Sequence, residues 1–506
     1  MSASIEEQTA AFKPEPRIST GNSGIDDILG GGLDPNRMYL CEGRPGAGKT
    51  TMGMQFLLEG VRQGERALYV ALSESPAELN LVAHRHGWSL DGVEILEIVS
   101  EDVLDPEREL TVLHPAEMEL TETTRLILDK VESLNPSRVV VDSLSELRLL
   151  AQGSLRYRRQ ILAMKHFFAN RQCTVILLDD QAAKEDDLQL HSISHGVIAL
   201  EQVAVDYGAQ RRRLRVLKMR GVDFRGGYHD FTIKRGGLEV YPRLVAAEHH
   251  REFHPTPTPS GNAELDSLLG GGLDRGTNAL LIGAAGVGKS SLAATYAASA
   301  TQRGEHAAIF AFDETRSTFF ARARALGMEL DTALDAGLLN FKQIDPAEMS
   351  PGEFTALVRR AVEQGGARIV IFDSLNGYMN AMPDGRFLIL QMHELLSYLG
   401  QQGVTTVMVL AEHGLVGPME TPLDISYLSD TVIMLRYFEY GGRVRRAISV
   451  VKKRSGAHEH VMREFTMSSA GLTLGPPLTA FHGLFSGTPQ YTGEDLRLLS
   501  VPDASS

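Results

Sequence analysis

Cysteine is nearly absent from this chain: Cys41 and Cys173 are the only two in 506 residues. That excludes a disulfide framework, and a reducing cytoplasm is the expected compartment. Long apolar runs are missing as well. No stretch of 18 apolar residues occurs, so no membrane span is expected. The opening segment MSASIEEQTAAFKPEPR holds no apolar run that would read as a secretory signal. Positive charge is in deficit: 50 Lys and Arg stand against 64 Asp and Glu, a formal net charge of −14. A nucleic-acid partner is not expected, because phosphate backbones call for clustered cations. What remains, 43% hydrophobic and 23% charged residues, is the make-up of a globular protein. The length exceeds one ordinary core, so two domains are expected.

What is present occurs twice. Lys49 and Lys289 stand 240 residues apart, and the same offset pairs Gly21-Asn22 with Gly261-Asn262, Asp26 with Asp266, and Glu74 with Glu314. The string LGGGLD begins at both Leu29 and Leu269. Later matches drift: the DSL strings give an offset of 231, and Lys218 pairs with Lys452 at 234. Ordered matches with small drift indicate two copies of one domain whose loops differ in length. The expected layout is an N-terminal arm over 1–17, a first domain over 18–245, a linker over 246–258, a second domain over 259–470 and an irregular tail over 471–506. The linker is rich in His and Pro and lacks a helical or strand period.

Each copy reads as strand, Gly-rich loop, helix, then further strand–helix units. MYLCEG runs into the first loop, and TTMGMQFLLEGVRQG follows with helical spacing and Gly64 as a stop. SRVVVDS, CTVILLDD, ARIVIFDS and VTTVMVLAE are continuous apolar strands, the mark of a parallel sheet buried on both faces. The fold class is therefore α/β, with a central, mostly parallel sheet in each copy.

Gly43 to Thr50 fits G-x-x-x-x-G-K-[ST], and Gly283 to Ser290 fits it again. In such a loop the glycines let backbone N–H groups converge on phosphate oxygens, and the helix N-terminus faces the anion. The ATP-binding residues expected are Gly43, Gly46, Ala47, Gly48, Lys49, Thr50 and Thr51. In the second copy they are Gly283, Gly286, Val287, Gly288, Lys289, Ser290 and Ser291. Lys49 and Lys289 would reach the β- and γ-phosphates, and Thr50 and Ser290 would coordinate magnesium. Asp142 and Asp373 end apolar strands and are read as the magnesium carboxylates, on strands beside the loop strand. The acidic residue after the second strand is the expected water activator. Copy two offers Asp313 and Glu314 there, and copy one only Glu74, because Ser73 precedes it.

These residues resemble the KaiC family of RecA-like double-domain ATPases. The likeness spans roughly residues 15–490 and rests on SGIDDILGGGL, the two loops, ALSESPAELNLVAHRHGW, FDETRSTFFARARALGM, LKMRG and MREFTM, in family order. It implies tandem RecA-like P-loop domains, ATP and Mg2+ as cofactors, and a homohexamer with ATP at subunit interfaces. It also implies a KaiB-like protein partner and a role as a timing or signalling switch. The family's Lys-x-Arg pair, which reaches a neighbour's γ-phosphate, falls on Lys218 and Arg220 and on Lys452 and Arg454. The family's serine/threonine autokinase site falls on Ser426, with Thr421 also matching, while Tyr427 stands where threonine is usual. The family places two glutamates after the second strand and uses the first as base. Ser73 and Asp313 depart from that, so the resemblance implies that most turnover belongs to the second domain. Two readings of other classes use the same residues. One is a nucleotide-gated scaffold with little turnover, which Ser73 favours for domain one. The other is a recombinase or helicase, which the negative charge and the lack of an appended basic module disfavour.

Overall fold

The computed structural model describes residues 16–98, 115–180, 188–205, 207–379, 385–412, 426–484 and 490–492. The chain divides into two compact units, the main boundary falling between Arg243 and Leu244 and Tyr207–Ala209 being grouped with the second. The first is built on a nine-stranded sheet. Its strands are β1 (Met38–Gly43), β2 (Ala67–Ala71), β3 (Val93–Glu97), β4 (Arg138–Asp142), β5 (Thr174–Asp180), β6 (Gly196–Val203), β7 (Arg211–Met219), β8 (His229–Lys234) and β9 (Gly237–Tyr241). Their order is β3-β2-β4-β5-β1-β6-β7-β8-β9. Every pairing from β3 to β6 is parallel, and those from β6 to β9 are antiparallel.

The second unit repeats this plan. A two-stranded ribbon, β10 (Pro257–Thr258) with β11 (Leu273–Asp274), precedes the sheet. The sheet holds β12 (Asn278–Gly283), β13 (His306–Ala311), β14 (Leu339–Gln343), β15 (Ala367–Asp373), β16 (Thr405–Ala411), β17 (Thr431–Tyr440), β18 (Arg443–Lys453), β19 (Met462–Ser468) and β20 (Gly471–Pro477). The order β14-β13-β15-β16-β12-β17-β18-β19-β20 is the same path through the sheet.

The apolar strands are buried throughout because helices cover both faces. Alternate residues of one strand enter opposite cores. Val140, Ile176 and Leu178 join the cluster under the helix Lys49–Arg62, while Val139, Val141, Val175 and Leu177 pack with Ile161 and Phe168 of the helix Ser154–Asn170. Each such side chain contributes about 1.5–3 kcal/mol on burial.

Three expectations change. The strands of Asp142 and Asp373 are not beside the loop strands: β5 lies between β4 and β1, and β16 between β15 and β12. The stretch expected as a linker is packed on the second unit. Ala246 is buried in its core, Ala246–Glu248 is a 3-10 turn, and the His249 ring meets Tyr398 edge-on at 5.3 Å. The stretch expected as tail begins as a sheet strand, because Leu472 and Leu474 alternate inward within β20. No described helix is long and apolar enough to cross a membrane.

Candidate functional site

The first site forms where β1 runs into its helix. A side chain at Gly43 would bring a Cβ within 2.5 Å of the Leu200 carbonyl oxygen, so only glycine leaves room for the neighbouring strand. The chain then turns to Gly48, at φ 107°, a left-handed position that also favours glycine. Gly48 caps the helix Lys49–Arg62, and no side chain bonds to the helix N-terminus. Its first N–H groups are thus open to an anion. Ala47 and Thr51 are buried beneath the loop. Lys49 Nζ donates to the carbonyls of Gly43 (2.9 Å) and Arg44 (3.2 Å) and lies 2.7 Å from Asp180 Oδ1.

Thr50 Oγ1 donates to Asp142 Oδ2 at 2.8 Å, and Tyr69 donates to the same oxygen at 2.6 Å. Burial raises the Asp142 pKa, although both hydroxyls and Lys49 oppose the rise. A buried carboxylate held by neutral donors beside a hydroxyl fits a divalent cation, which supplies the missing positive charge. Glu74 follows β2. It is half-buried, and its Oε2 has no hydrogen-bond partner. Burial pushes its pKa up, and the charges of Asp142 and Glu78 add to the rise. Ser73 beside it is exposed.

The second site repeats the backbone and changes the partners. Gly283 meets the Leu435 carbonyl as Gly43 meets Leu200, and Gly288 caps the helix Lys289–Gln302 at φ 112° without a side-chain cap. Gly286 makes the turn at φ 77°, as Gly46 does at 79°. Val287 is buried as Ala47 is. Lys289 Nζ donates to the carbonyls of Gly283 (2.8 Å) and Ala284 (2.7 Å) and, among the described residues, joins no ion pair. Its burial lowers its pKa. Ser290 Oγ donates to Asp373 Oδ1 at 2.9 Å, and burial raises the Asp373 pKa. Both carboxylates after β13 are engaged. Asp313 accepts the Ser374 hydroxyl, and Glu314 pairs with Arg322 at 2.5 Å. Arg322 also donates to Ser291 at 3.2 Å. Burial raises the Glu314 pKa, and Arg322 counteracts it.

The two Lys-x-Arg pairs lie at the far end of their sheets. Lys218 is level with Val197, and Val197 with Leu40, three residues before Gly43. Lys452 is level with Val432 and Leu280, three residues before Gly283. That is about 10 Å back from each loop and two strands across. Lys218 donates to the carbonyls of His191 and Ser194, and Arg220 to Ser192 at 2.5 Å. Arg454 is exposed, bonds the Tyr427 carbonyl at 3.1 Å and faces Asp430 at 3.4 Å. Ser426 opens the 3-10 turn Ser426–Leu428 just before β17. Thr421 lies outside the described residues.

Four contributors escaped sequence reasoning: Tyr69, Asp180, Arg322 and Glu412. Glu412 follows β16, is buried with an unpartnered Oε2, and has its pKa raised by burial. Asp180 and Glu412 had a visible signal, an acidic residue at the end of an apolar strand. Tyr69 and Arg322 had none, for each lies within a segment whose spacing is explained by packing alone.

The KaiC ATPase family model matches residues 18–245 and again 258–479. The circadian clock protein KaiC3 of Synechocystis sp. is 26% identical over 499 residues, 97% of each chain. The circadian clock oscillator protein KaiC of Picosynechococcus sp. is 26% identical over 497 residues, covering 97% of this chain and 95% of the relative. That of Synechococcus elongatus is 26% identical over 486 residues, 94% and 92% of the two chains. Two P-loop sites on one repeated sheet, each inside a matched segment, fit these findings, and the chain belongs to the KaiC ATPase family.

Proposed function

We propose that this chain is an ATP-hydrolysing ring protein of six subunits, in which each nucleotide is bound by one subunit and completed by the next. The observation that carries this reading is the placement of the Lys-x-Arg pairs. They sit at the sheet end opposite their own P-loops, so they have no phosphate to meet within their own domain. A neighbouring subunit would bring the two ends together. In the first domain Glu74 takes the proton of the attacking water, and Lys49 holds the β- and γ-phosphates. Thr50 with Asp142, and Ser290 with Asp373, would hold magnesium, which draws charge from the transferring phosphoryl oxygens when bound. In the second domain Asp313 and Glu314 hold the equivalent place, each already engaged by a neighbour.

The second domain's proposed further activity is transfer of the γ-phosphoryl group to Ser426, with ADP as the leaving group. Ser426 precedes β17 at the same end as Arg454, so its donor would be a neighbour's ATP. Thr421 is the second acceptor by resemblance. Nucleotide-dependent docking of a KaiB-like protein is proposed on the same family ground. Light scattering with and without Mg-ATP tests the ring: a monomer in saturating Mg-ATP rejects it. Peptide mass mapping after incubation tests the kinase step. An unmodified peptide spanning 421–427 removes that step and leaves ATP hydrolysis standing.

A further inference from the structure

Asp180 is a carboxylate that ATP binding at the first site leaves without a task. It ends β5, the strand between the one that carries Asp142 and the one that carries the loop, and it lies level with Gly43. Both of its oxygens are engaged. Oδ1 is 2.7 Å from Lys49 Nζ, and Oδ2 accepts the Ser145 hydroxyl at 3.1 Å. Ser145 in turn receives the Ser143 hydroxyl at 3.0 Å. A row of short side chains thus aims the carboxylate at the lysine whose charge a bound phosphate would need.

The second domain lacks this device. The residue level with Gly283 is Ala411, and Lys289 bonds only loop carbonyls among the described residues. Glu412, one residue on, forms no ion pair with Lys289 there and keeps one oxygen unpartnered. The two cradles therefore differ in what their lysines hold before nucleotide arrives.

We infer that Asp180 is an internal stand-in for the phosphate charge, which locks Lys49 in the nucleotide-free first site and must be displaced when ATP binds. This rests on the reading that the first loop binds ATP. An ion pair is broken at the first site and none at the second, so Asp180 weakens ATP binding at the first site alone. The second site then fills at lower ATP than it would with an aspartate at 411, and the first responds at higher ATP than its loop would otherwise set. The contact is partly solvated, with the Asp180 side chain 42% exposed and that of Lys49 8% exposed. Such pairs are worth up to about 1 kcal/mol, or roughly fivefold in affinity.

The test is equilibrium titration with MANT-labelled ATP and magnesium. Lys289→Ala silences the second site, so the first is read alone. In that background Asp180→Asn should bind about fivefold more tightly, with the gain shrinking in high salt. General damage to the fold would loosen binding, so tighter binding separates a lock from a structural role. The converse variant, Ala411→Asp in a Lys49→Ala background, should weaken the second site by a similar factor. Unchanged or weaker binding by Asp180→Asn, with the fold intact by circular dichroism, overturns the lock. If Asp180→Asn does not fold, an unchanged second site in Ala411→Asp overturns it instead. A Lys289→Ala protein that binds no MANT-ATP at all would reject the ATP reading of the first site, a separate outcome from failure of the lock.

Discussion

The two nucleotide sites share a backbone and invert their charges. Each has the loop glycines, a lysine tucked against loop carbonyls, and a hydroxyl bonded to a buried aspartate. At the first site the cation is held, by Asp180, while the carboxylate of Glu74 keeps an oxygen unpartnered. At the second site the cation has no ion pair among the described residues, while Asp313 and Glu314 are held by Ser374 and Arg322. The buried aspartates differ too. Asp142 has a second donor in Tyr69, and Ile309 occupies that place in β13. The lesson is that duplication kept the loop backbone and changed what surrounds it. Backbone convergence tolerates few alternatives, whereas side-chain partners on adjoining strands and helices can change one at a time.

The largest expected effect tests the carboxylates. In a Lys289→Ala background, Glu74→Gln should lower first-site hydrolysis by about 10²–10⁴, the usual loss for a positioned base. In a Lys49→Ala background, neither Asp313→Asn nor Glu314→Gln alone should lower turnover as much. Equal losses, measured by phosphate release, would break the inversion. The parent rates of the two single-site backgrounds, compared directly, test the expectation drawn from Ser73 that the second domain carries most turnover.

A smaller effect is expected at the aspartates. Tyr69→Phe removes one charge-assisted bond and leaves Asp142 with Thr50 alone. It should destabilise the first domain by about 1–2 kcal/mol, seen as a lower denaturant midpoint for that domain's transition. Ile309→Val, at the equivalent place, should leave the Asp373 bond to Ser290 untouched.

Smaller still is the effect of freeing Glu314. The Arg322 ion pair is partly solvated, so Arg322→Ala should raise second-site turnover by no more than roughly fivefold. Val82 stands 240 residues before Arg322, and the helix Pro76–His86 matches the helix Arg316–Ala325. Val82→Arg should correspondingly slow the first site. Unchanged rates in both variants would mean that the pair does not restrain the carboxylate.

The smallest effect is in pH. Glu74 must be ionised to accept a proton, and its pKa is raised by burial, then by Asp142 and Glu78. First-site turnover should therefore rise with pH through a limb above the ordinary carboxylate range. Glu78→Gln removes one negative neighbour and lowers that pKa, so the limb should move to lower pH. Gln still closes the capping box with Ser75, so the helix start is preserved. A pH–rate profile in the Lys289→Ala background reads both points. A limb that stays in place would show that Glu78 does not act on the base.

Much of the fold was legible because its signals are local. Continuous apolar strands such as Arg138–Asp142 can only be buried on both faces, and the loop glycines fix where β1 and β12 end. The misread segments lacked such signals. Residues 246–258 have no period, yet single side chains hold them: a Cβ at Gly276 or Gly403 would meet the Phe253 ring at 2.5 or 2.6 Å. In Gly471–Pro477 the two glycines and two prolines masked a two-residue alternation carried by only Leu472 and Leu474. At the sites, the motif residues were legible because their spacing is set by a contiguous loop. Strand order was not, since the pairing that puts β5 between β4 and β1 joins segments far apart in the chain.

The sequence by itself determined the duplication, the α/β class, and where the two glycine loops and the two aspartates beside their hydroxyls fall. Each of these depends on residues close together in the chain or on a repeat offset, and both survive without knowledge of the fold. Tertiary structure alone decided which charges meet. Lys49 and Asp180 are 131 residues apart, and Tyr69 and Asp142 are 73 apart, yet each pair is within hydrogen-bond distance. Glu314 and Arg322 are only eight residues apart, but their contact depends on how one helix packs beside Ser291. Coulomb and hydrogen-bond energies fall off over a few ångströms, so their pattern is set by sheet order and helix packing and not by spacing along the chain.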